Sequence, residues 1–365
     1  MTTRRTPMKR GALLVATALL TTACSDRDDG TDSYSTAPNT VATTAASTTS
    51  TTDTPTTTTA APVTSIDPAA IDWAITDQPS PGQMSLLVVD SSGRNLTLDP
   101  STGPSTGASI TMAQRPIHAT ITVPVGADGA IDLITPHPLL VSAGPRKGPQ
   151  PEPCGFAATD VVTVCIGLPQ LDLDANFSYT DTANQPVDVS RVLDVILGNP
   201  DTFGTIDTQH VVYSGGSIGG ITGLWFVHPL TQDPRLTAIL ATVSFAPYWV
   251  PAFNDPANWD HGPQIMMVNG TADTTITYEL VRRTIEAADG AQHLRLLSIV
   301  GSDHAEPYRG CDPASLFVGA WIDHVLRGAP EPDAALVTGS TCSAFGLVEG
   351  GTTGPGAAAP FIPAT

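Results

Sequence analysis

Residues 210–226 read HVVYSGGSIGGITGLWF, and this stretch decides the fold. It opens on β-forming residues, and apolar residues recur at roughly helical spacing after a glycine-rich turn. Ser217 lies at the centre of that turn in the pattern G-x-S-x-G, with Gly215 and Gly219 two residues to either side. Small residues are needed there because strand and helix approach each other closely. The stretch therefore predicts a strand, a strained turn that presents the serine, and a helix.

Strand and helix patterns also alternate on either side of this stretch. The predicted strands are residues 84–89, 94–98, 110–125, 138–144, 161–166, 236–244, 264–268 and 294–300, and the predicted helices are residues 187–197, 278–288 and 313–326. The first two strands flank a Ser-Gly turn and predict a hairpin, which with the third forms antiparallel entry strands. The later alternation favours a mostly parallel sheet with helices on both faces, an α/β fold.

Three predicted strands are followed by residues that carry chemistry. Ser217 follows one, Asp273 lies five residues past the end of another at Val268, and His304 lies in the loop after Val300. The carboxyl ends of parallel strands meet at one edge of a sheet, where ligands bind. An imidazole can take the serine proton, and a carboxylate can fix the tautomer of the imidazole. The order Ser, Asp, His predicts a nucleophile, its acid and its base.

Each residue also has a structural interpretation, and the triad has rivals. Asp273 fits a helix cap and His304 fits a solvated loop residue. Asp303 ranks below Asp273 as the acid, because neighbours in sequence rarely face each other across a site. His228 points away from the turn on the same helix as the serine, and His324 lies well inside the last predicted helix. The coincidence of three strand ends in the expected order favours the catalytic interpretation.

These segments together resemble the α/β-hydrolase superfamily over about residues 84–328. The matching segments are Gly215 to Gly219, Asn269-Gly270-Thr271-Ala272-Asp273-Thr274-Thr275-Ile276, and Gly301-Ser302-Asp303-His304. The chain is similar to the secreted serine esterase branch that includes platelet-activating-factor acetylhydrolases, dienelactone hydrolases and polyester hydrolases. The resemblance implies hydrolysis of carboxylic esters through an acyl-enzyme intermediate, without metal or cofactor. A peptidase or amidase on the same fold, or a catalytically silent binding lipoprotein, are the alternatives.

The predicted oxyanion hole is where the chain departs from that family. The family typically has a His-Gly pair after the strand that corresponds to residues 138–141, whereas this chain has Ser142-Ala143-Gly144-Pro145. Proline has no N–H to donate. The resemblance implies one donor at the amide of Ile218 and a second at Gly144 or Arg146. Losing one such donor costs about 3 kcal/mol in barrier, so a weak second donor predicts a slow enzyme.

The segment before the strand at residue 264 bears on the substrate. It contains Phe245-Ala246-Pro247-Tyr248-Trp249-Val250-Pro251 and is too short for an inserted domain, which predicts little or no cap. Tyr248 and Trp249 either line the acyl or aromatic part of a substrate or pack beneath the loop. The residues do not separate these two roles.

The amino terminus predicts export and a membrane anchor. Four basic residues precede a short apolar run, and Thr21-Thr22-Ala23-Cys24 is similar to a bacterial lipobox. We expect residues 1–23 to be a signal peptide, Cys24 to carry lipid, and the protein to be extracytoplasmic at the cell membrane. Ordinary cleavage near Ala23 and free secretion is the alternative. The segment TRRTPMK (residues 3–9) also loosely resembles a twin-arginine signal.

The globular part of the chain begins only after a low-complexity segment. Residues 24–66 are rich in Thr, Ser, Ala and Pro, which predicts a disordered tether. Residues 67–365 have globular composition and predict one catalytic domain. The organisation expected from the sequence is therefore a signal peptide, a tether and a hydrolase domain.

The cysteines and the net charge indicate which disulfides the chain forms and which classes of ligand are disfavoured. Beyond Cys24 there are four cysteines, and we expect disulfides between Cys154 and Cys165 and between Cys311 and Cys342, because each closes a local loop. A zinc site is disfavoured because the chain has no C-x-x-C pair. Residues 1–23 carry four positive charges and no negative ones, so their removal takes the formal net charge from −19 to about −23. Such an acidic surface argues against nucleic acid as a partner.

Overall fold

The computed structural model describes residues 71–93, 114–144, 159–168, 179–247, 250–260, 262–288, 291, 293–304, 311–343, 346 and 348–352. The strands are β1 (Ile71–Ser80), β2 (Gln83–Asp90), β3 (Arg115–Thr122), β4 (His137–Gly144), β5 (Val162–Gly167), β6 (Ile206–Gly216), β7 (Ala238–Thr242), β8 (Gln264–Gly270), β9 (Leu294–Ile299) and β10 (Val348–Thr352). The helices are α1 (Gln185–Gly198), α2 (Pro200–Phe203), α3 (Ile218–Trp225), α4 (Tyr278–Ala287) and α5 (Asp312–Arg327).

All these strands form one sheet in the order β1-β2-β3-β5-β4-β6-β7-β8-β9-β10. The six strands from β4 to β9 pair in parallel with one another. β1, β2 and β3 pair antiparallel at one side, and β10 pairs antiparallel with β9 at the other. The prediction of a mostly parallel α/β sheet with antiparallel entry strands is confirmed. This order places β6, the strand that leads to Ser217, near the middle of the sheet.

Both faces of the sheet are covered, which explains the apolar runs of the inner strands. Leu139 and Val141 of β4 pack in one cluster with residues of α1, α3 and α4. Leu140, on the opposite face of the same strand, packs in a second cluster with Val212 and with Trp321 of α5. Successive residues of a strand point to opposite faces, so a strand covered on both faces needs apolar residues at every position.

The pairing of the edge strand β1 with β2 differs from the hairpin that the sequence predicts. β2 pairs with β1 along one edge and with β3 along the other, so the predicted pairing of residues 84–89 with residues 94–98 is wrong. Residues 94–98 themselves lie outside the described residues. β1 was not predicted because nine of its ten residues are exposed, so it lacks the alternation that marks a half-buried strand. The chain turns from β1 into β2 at Gly82, whose φ is +78°.

A buried ion cluster fixes the first turn of α1 and the segment before it to the start of β3. Arg115 forms paired hydrogen bonds to Asp188 at 2.9 and 2.6 Å and to Asp181 at 2.9 and 2.8 Å. All three side chains are at most 2% exposed. Burial by itself would lower the pKa of Arg115, but the two carboxylates outweigh burial and raise it. The guanidinium therefore stays charged, and the cluster depends on all three members.

We expect Arg115→Met to lower the free energy of unfolding by about 3–5 kcal/mol, because it leaves two buried carboxylates without their cation. Urea denaturation of the variant measures this loss. Arg282→Met is the matched control, since Arg282 pairs with Glu279 and Glu286 on the exposed surface of α4 and should contribute far less. Equal losses in the two variants would contradict the assignment of stability to the buried cluster.

A disulfide joins the start of α5 to the segment before β10. Cys311 and Cys342 are bonded, as predicted, across a separation of 31 residues. Such a cross-link stabilises a domain by about 3–4 kcal/mol in the chain-entropy model. Cys165 is also in a disulfide. Its predicted partner, Cys154, lies outside the described residues, so that pairing stays a prediction.

Candidate active site

The turn between β6 and α3 is strained at a single residue. Ser217 has φ 51° and ψ −117°, in a region that residues other than glycine rarely adopt. Its N–H donates to Thr242 O at 3.0 Å, and its carbonyl accepts from Ile221 N at 2.9 Å. These bonds hold the turn from β7 on one side and from the first turn of α3 on the other. The G-x-S-x-G pattern therefore forms the sharp strand-to-helix turn that the sequence predicts.

Close approach of the strand to the helix makes glycine necessary at two positions. A Cβ on Gly215 would lie 2.3 Å from the carbonyl carbon and oxygen of Gly219. A Cβ on Gly220 would lie 2.6 Å from the Cβ of Ser244. The sequence predicts the first of these contacts, but not the second, because Ser244 belongs to the loop after another strand. Tyr213, also missed, donates its hydroxyl to Gly219 O at 2.7 Å.

We expect Gly215→Ala to destabilise the protein by about 3 kcal/mol, the upper part of the usual cost of overpacking, because its Cβ meets backbone that cannot rotate away. Activity should fall as well, since the serine and helix α3 must shift. Thermal unfolding checks the first effect. Gly198→Ala is the matched control: no heavy atom lies within 4 Å of a Cβ there, so stability should be unchanged or slightly higher. A similar loss in both variants would contradict the close-approach explanation.

Asp273 lies in the loop after β8 and is 4% exposed. Its Oδ1 accepts the backbone N–H groups of Thr275 and Ile276, each at 2.8 Å. Its Oδ2 lies 2.7 Å from Nδ1 of His304. The two backbone donors fix the carboxylate in place, so one oxygen always faces the imidazole. Helix α4 begins at Tyr278 with Thr277 at its N-cap, so the interpretation of Asp273 as a helix cap is wrong. Its Oδ1 instead holds the loop before the helix, and its Oδ2 takes the predicted position of the acid.

The imidazole of His304 joins this carboxylate to the serine. Its Nε2 lies 3.1 Å from Ser217 Oγ, and its side chain is 26% exposed. Because a carboxylate can only accept, Nδ1 carries the proton of the neutral ring and Nε2 is free to accept from the serine hydroxyl. The structure brings together all three residues that the sequence proposes as a triad. The arrangement can remove the serine proton and stabilise the resulting imidazolium.

The loops that carry Asp273 and His304 are bonded directly to each other. Ala272 N donates to Ser302 O at 2.9 Å, and Gly301 N donates to Thr271 Oγ1 at 3.0 Å. A Cβ on Gly270 would lie 2.2 Å from Ser302 O, so only glycine fits there. Sequence reasoning did not assign these contacts. The one signal was the Asn-Gly pair at the end of β8, which marks a close backbone approach.

The predicted oxyanion donors are only partly within the described residues. Ile218 is the first residue of α3, so its N–H has no acceptor within the helix. Gly144 ends β4, next to β6, where Ala143 is in register with Gly215. Arg146 lies outside the described residues. The structure therefore places two of the three candidates beside the strained turn and leaves the second donor a prediction.

Of the other residues that the sequence suggests for the site, some lie outside the described residues and others are shown to have no part in the triad. Tyr248 and Trp249 lie outside the described residues. Asp303 is not the partner of His304 Nδ1, because Asp273 takes that place. His228 packs between Trp225 and Phe253, with ring centroids 5.1 and 5.7 Å away. Burial lowers its pKa to about 4, so this half-buried ring is neutral near neutral pH.

The last histidine considered, His324, lies near the end of α5. Its Nδ1 is 2.6 Å from Ala329 O, so its ring closes the end of the helix. Within the described ranges, no group of three or more His, Cys, Asp or Glu side chains could hold a metal ion. Among the same residues, no helix is both long and apolar enough to cross a membrane.

Comparisons with known proteins give distant structural similarity. No protein-family model matches the chain, and no curated protein sequence matches it. A puromycin-hydrolyzing peptidase of Mycobacterium tuberculosis is similar at 14% identity over 71% of this chain, with a TM-score of 0.43. This chain spans 46% of that peptidase, about half its length. Esterase 2 of Thermogutta terrifontis, solved phosphorylated by paraoxon, is similar at 16% identity over 67% of this chain and 97% of its own, with a TM-score of 0.44.

Proposed function

We propose that this protein is a serine hydrolase that cleaves carboxylic esters through an acyl-enzyme intermediate. The observation that carries the proposal is the hydrogen-bonded series Ser217 Oγ, His304 Nε2, His304 Nδ1, Asp273 Oδ2, with distances of 3.1 and 2.7 Å. A strained φ at Ser217 supports it, because such strain is typical of residues at functional sites.

The geometry supports a two-step reaction. Ser217 Oγ attacks the ester carbonyl carbon while His304 Nε2 takes its proton. The bond to the leaving alkoxide then breaks, and the imidazolium returns the proton to that oxygen. In the second step water attacks the acyl carbon while His304 takes one of its protons. The bond from that carbon to Ser217 Oγ then breaks, His304 returns the proton to Oγ, and the carboxylic acid leaves. Asp273 stays ionised throughout and stabilises the imidazolium.

The negative charge on the carbonyl oxygen falls at the amino end of α3. The Ile218 N–H would donate to it, and Gly144 or Arg146 would supply the second donor. Pro145 removes one backbone N–H from the loop that normally provides such donors. With one strong donor, we expect esters to be cleaved in preference to amides, because an alkoxide leaves more readily than an amine. A peptidase would need more stabilisation of the intermediate than this loop offers.

The proposed setting is extracytoplasmic, with lipid on Cys24 and residues 24–66 as a tether to the cell membrane. The Cys311–Cys342 disulfide supports an oxidising compartment, where such bonds persist. Metabolic labelling with an azide-bearing fatty acid tests the anchor. Label on the wild type and its loss in Cys24→Ala are expected, and equal label in both would rule out this attachment site.

A fluorophosphonate probe tests the nucleophile. We expect the probe to label the wild type and to leave Ser217→Ala unlabelled, because it reacts only with an activated serine. Short p-nitrophenyl esters should turn over faster than peptide anilides. Equal labelling of the two proteins would refute the serine mechanism. Faster turnover of anilides would favour the peptidase alternative, and probe labelling without turnover of either class would favour a silent binding protein.

A further inference from the structure

A tyrosine of the nucleophile strand is bonded across the strained turn. Tyr213 lies four residues before Ser217 on β6 and is fully buried. Because successive residues of a strand point to opposite faces, Tyr213 shares with Gly215 the side of the sheet that α3 covers. Its hydroxyl donates to Gly219 O, in the first turn of α3, at 2.7 Å. This bond therefore joins the strand before the serine to the helix after it.

The ring of Tyr213 has little freedom to leave this position. A Cβ on Gly223 would lie 2.8 Å from Tyr213 Cε1, so the ring lies directly against α3 where a residue without a side chain leaves room for it. Phe226 packs on the same ring in an edge-to-face arrangement, with the centroids 5.4 Å apart. Burial raises the pKa of Tyr213, so the hydroxyl keeps its proton and remains a donor. The hydroxyl is thus held in place toward Gly219 O before any substrate binds.

The strain at Ser217 gives this bond a consequence for catalysis. A residue stays in a rarely populated region of φ and ψ only where its surroundings hold it there. If the first turn of α3 moved, the peptide that joins Ser217 to Ile218 would rotate. The serine Oγ and the Ile218 N–H would then both leave their positions. A misplacement of about 1 Å costs up to about 100-fold in rate.

The other contacts of this turn leave the link between β6 and α3 to Tyr213. Neither backbone hydrogen bond of Ser217 involves the Gly219 carbonyl. Thr222 Oγ1 lies 2.9 Å from Ile218 O and 2.5 Å from Gln185 Oε1, so it ties the same turn to α1 rather than to the strand. The bond from the tyrosine hydroxyl therefore makes a separate contribution to the position of the turn.

We propose that Tyr213 is a positioning residue of the hydrolase. Its hydroxyl holds the first turn of α3 to β6, which keeps Ser217 Oγ beside His304 and keeps the Ile218 N–H directed at the substrate carbonyl oxygen. Tyr213 is fully buried, so it acts through the turn and does not touch the substrate. This inference rests on the proposed function, because it concerns the same nucleophile.

The test is Tyr213→Phe in the full chain, which removes the hydroxyl and keeps the ring. With a short p-nitrophenyl ester we expect kcat to fall at least about tenfold and KM to stay within about twofold, because the bond positions reacting groups and does not bind the ester. The rate constant of fluorophosphonate labelling should fall in parallel, since it depends on the same Oγ. A residue with a merely structural role would leave both rates unchanged in the folded protein.

Thr231→Val is the matched control. Thr231 is buried and donates its hydroxyl to Trp225 O at 2.6 Å, at the other end of α3, so the substitution removes the same kind of bond from the same helix. Urea denaturation should show similar small losses of stability in the two variants, since each loses one buried hydrogen bond. Thr231→Val should nevertheless keep the kcat and the labelling rate of the wild type.

The outcomes separate this inference from the proposed function. Unchanged kcat in Tyr213→Phe, or an equal fall of kcat in both variants, would overturn the positioning role while the wild type remains a hydrolase. Loss of folding in Tyr213→Phe would mark a structural role and overturn it as well. A wild type that is neither labelled nor active would overturn both the positioning role and the proposed function.

Discussion

Ser217→Ala is expected to lower kcat for a short p-nitrophenyl ester by about 10⁴- to 10⁶-fold, the usual cost of removing the nucleophile of a triad. The reason is geometric, because Ser217 Oγ is the group within 3.1 Å of His304 Nε2 and lies on the strained turn after β6. Steady-state kinetics measures the effect. Thermal unfolding should change little, since alanine removes one hydroxyl and keeps the backbone.

The matched experiment is His304→Ala alone and combined with Ser217→Ala. When two residues act as one catalytic unit, removing either one already removes the contribution of the other. The double variant should therefore have about the same kcat as either single variant. Losses that multiply would mean that the two side chains act independently. Such a result would contradict the triad, whatever the activity of the single variants.

Asp273→Asn is expected to lower kcat by about 10⁴-fold, although it keeps the size and shape of the side chain. The hydrogen bonds around Asp273 explain why. Oδ1 accepts two backbone N–H groups, so the asparagine oxygen must occupy that position. The amide NH₂ then faces His304 Nδ1, which forces the ring proton onto Nε2. A ring with Nε2 protonated cannot accept the proton of Ser217.

Steady-state kinetics with the same ester checks this effect, and Asp303→Asn is its control. Asp303 is adjacent to His304 in sequence but does not hold its Nδ1, so this variant should keep most of the activity. Fluorophosphonate labelling gives a second measure of nucleophilicity that does not depend on the substrate. A fully active Asp273→Asn would contradict the assignment of the acid.

The sequence predicted those parts of the fold in which burial imposes a pattern. Inner strands such as β4 and β5 are covered on both faces, so they read as apolar runs bounded by Pro or Gly. The helix α1 was predicted within two residues at its start, because apolar residues recur on its buried side. β1 was missed because it is exposed almost throughout. Local sequence carries little signal for a strand that is exposed at nine of its ten residues.

The candidate site was predictable for a related reason, and its surroundings were not. The carboxyl ends of parallel strands meet at one edge of a sheet. Ser217, Asp273 and His304 each follow such a strand, so their positions in the sequence were enough to predict that they lie close together. The requirement for glycine at residues 220 and 270 comes instead from Ser244 and Ser302, which are remote in sequence. Arg191 likewise meets Asp90 across a separation of 101 residues. Contacts of this kind depend on the complete arrangement of the chain.

The antiparallel strands β1 and β10 at the two ends of the sheet also bear on aggregation. An exposed edge strand presents backbone groups that can pair with another copy of the chain. β1 contains Asp72, Asp77 and Pro79, and proline removes one of the donors that such pairing needs. β10 contains Gly350 and Gly351, which are weak strand formers. At both ends of the sheet that the described strands form, these residues therefore disfavour the addition of a strand from another molecule.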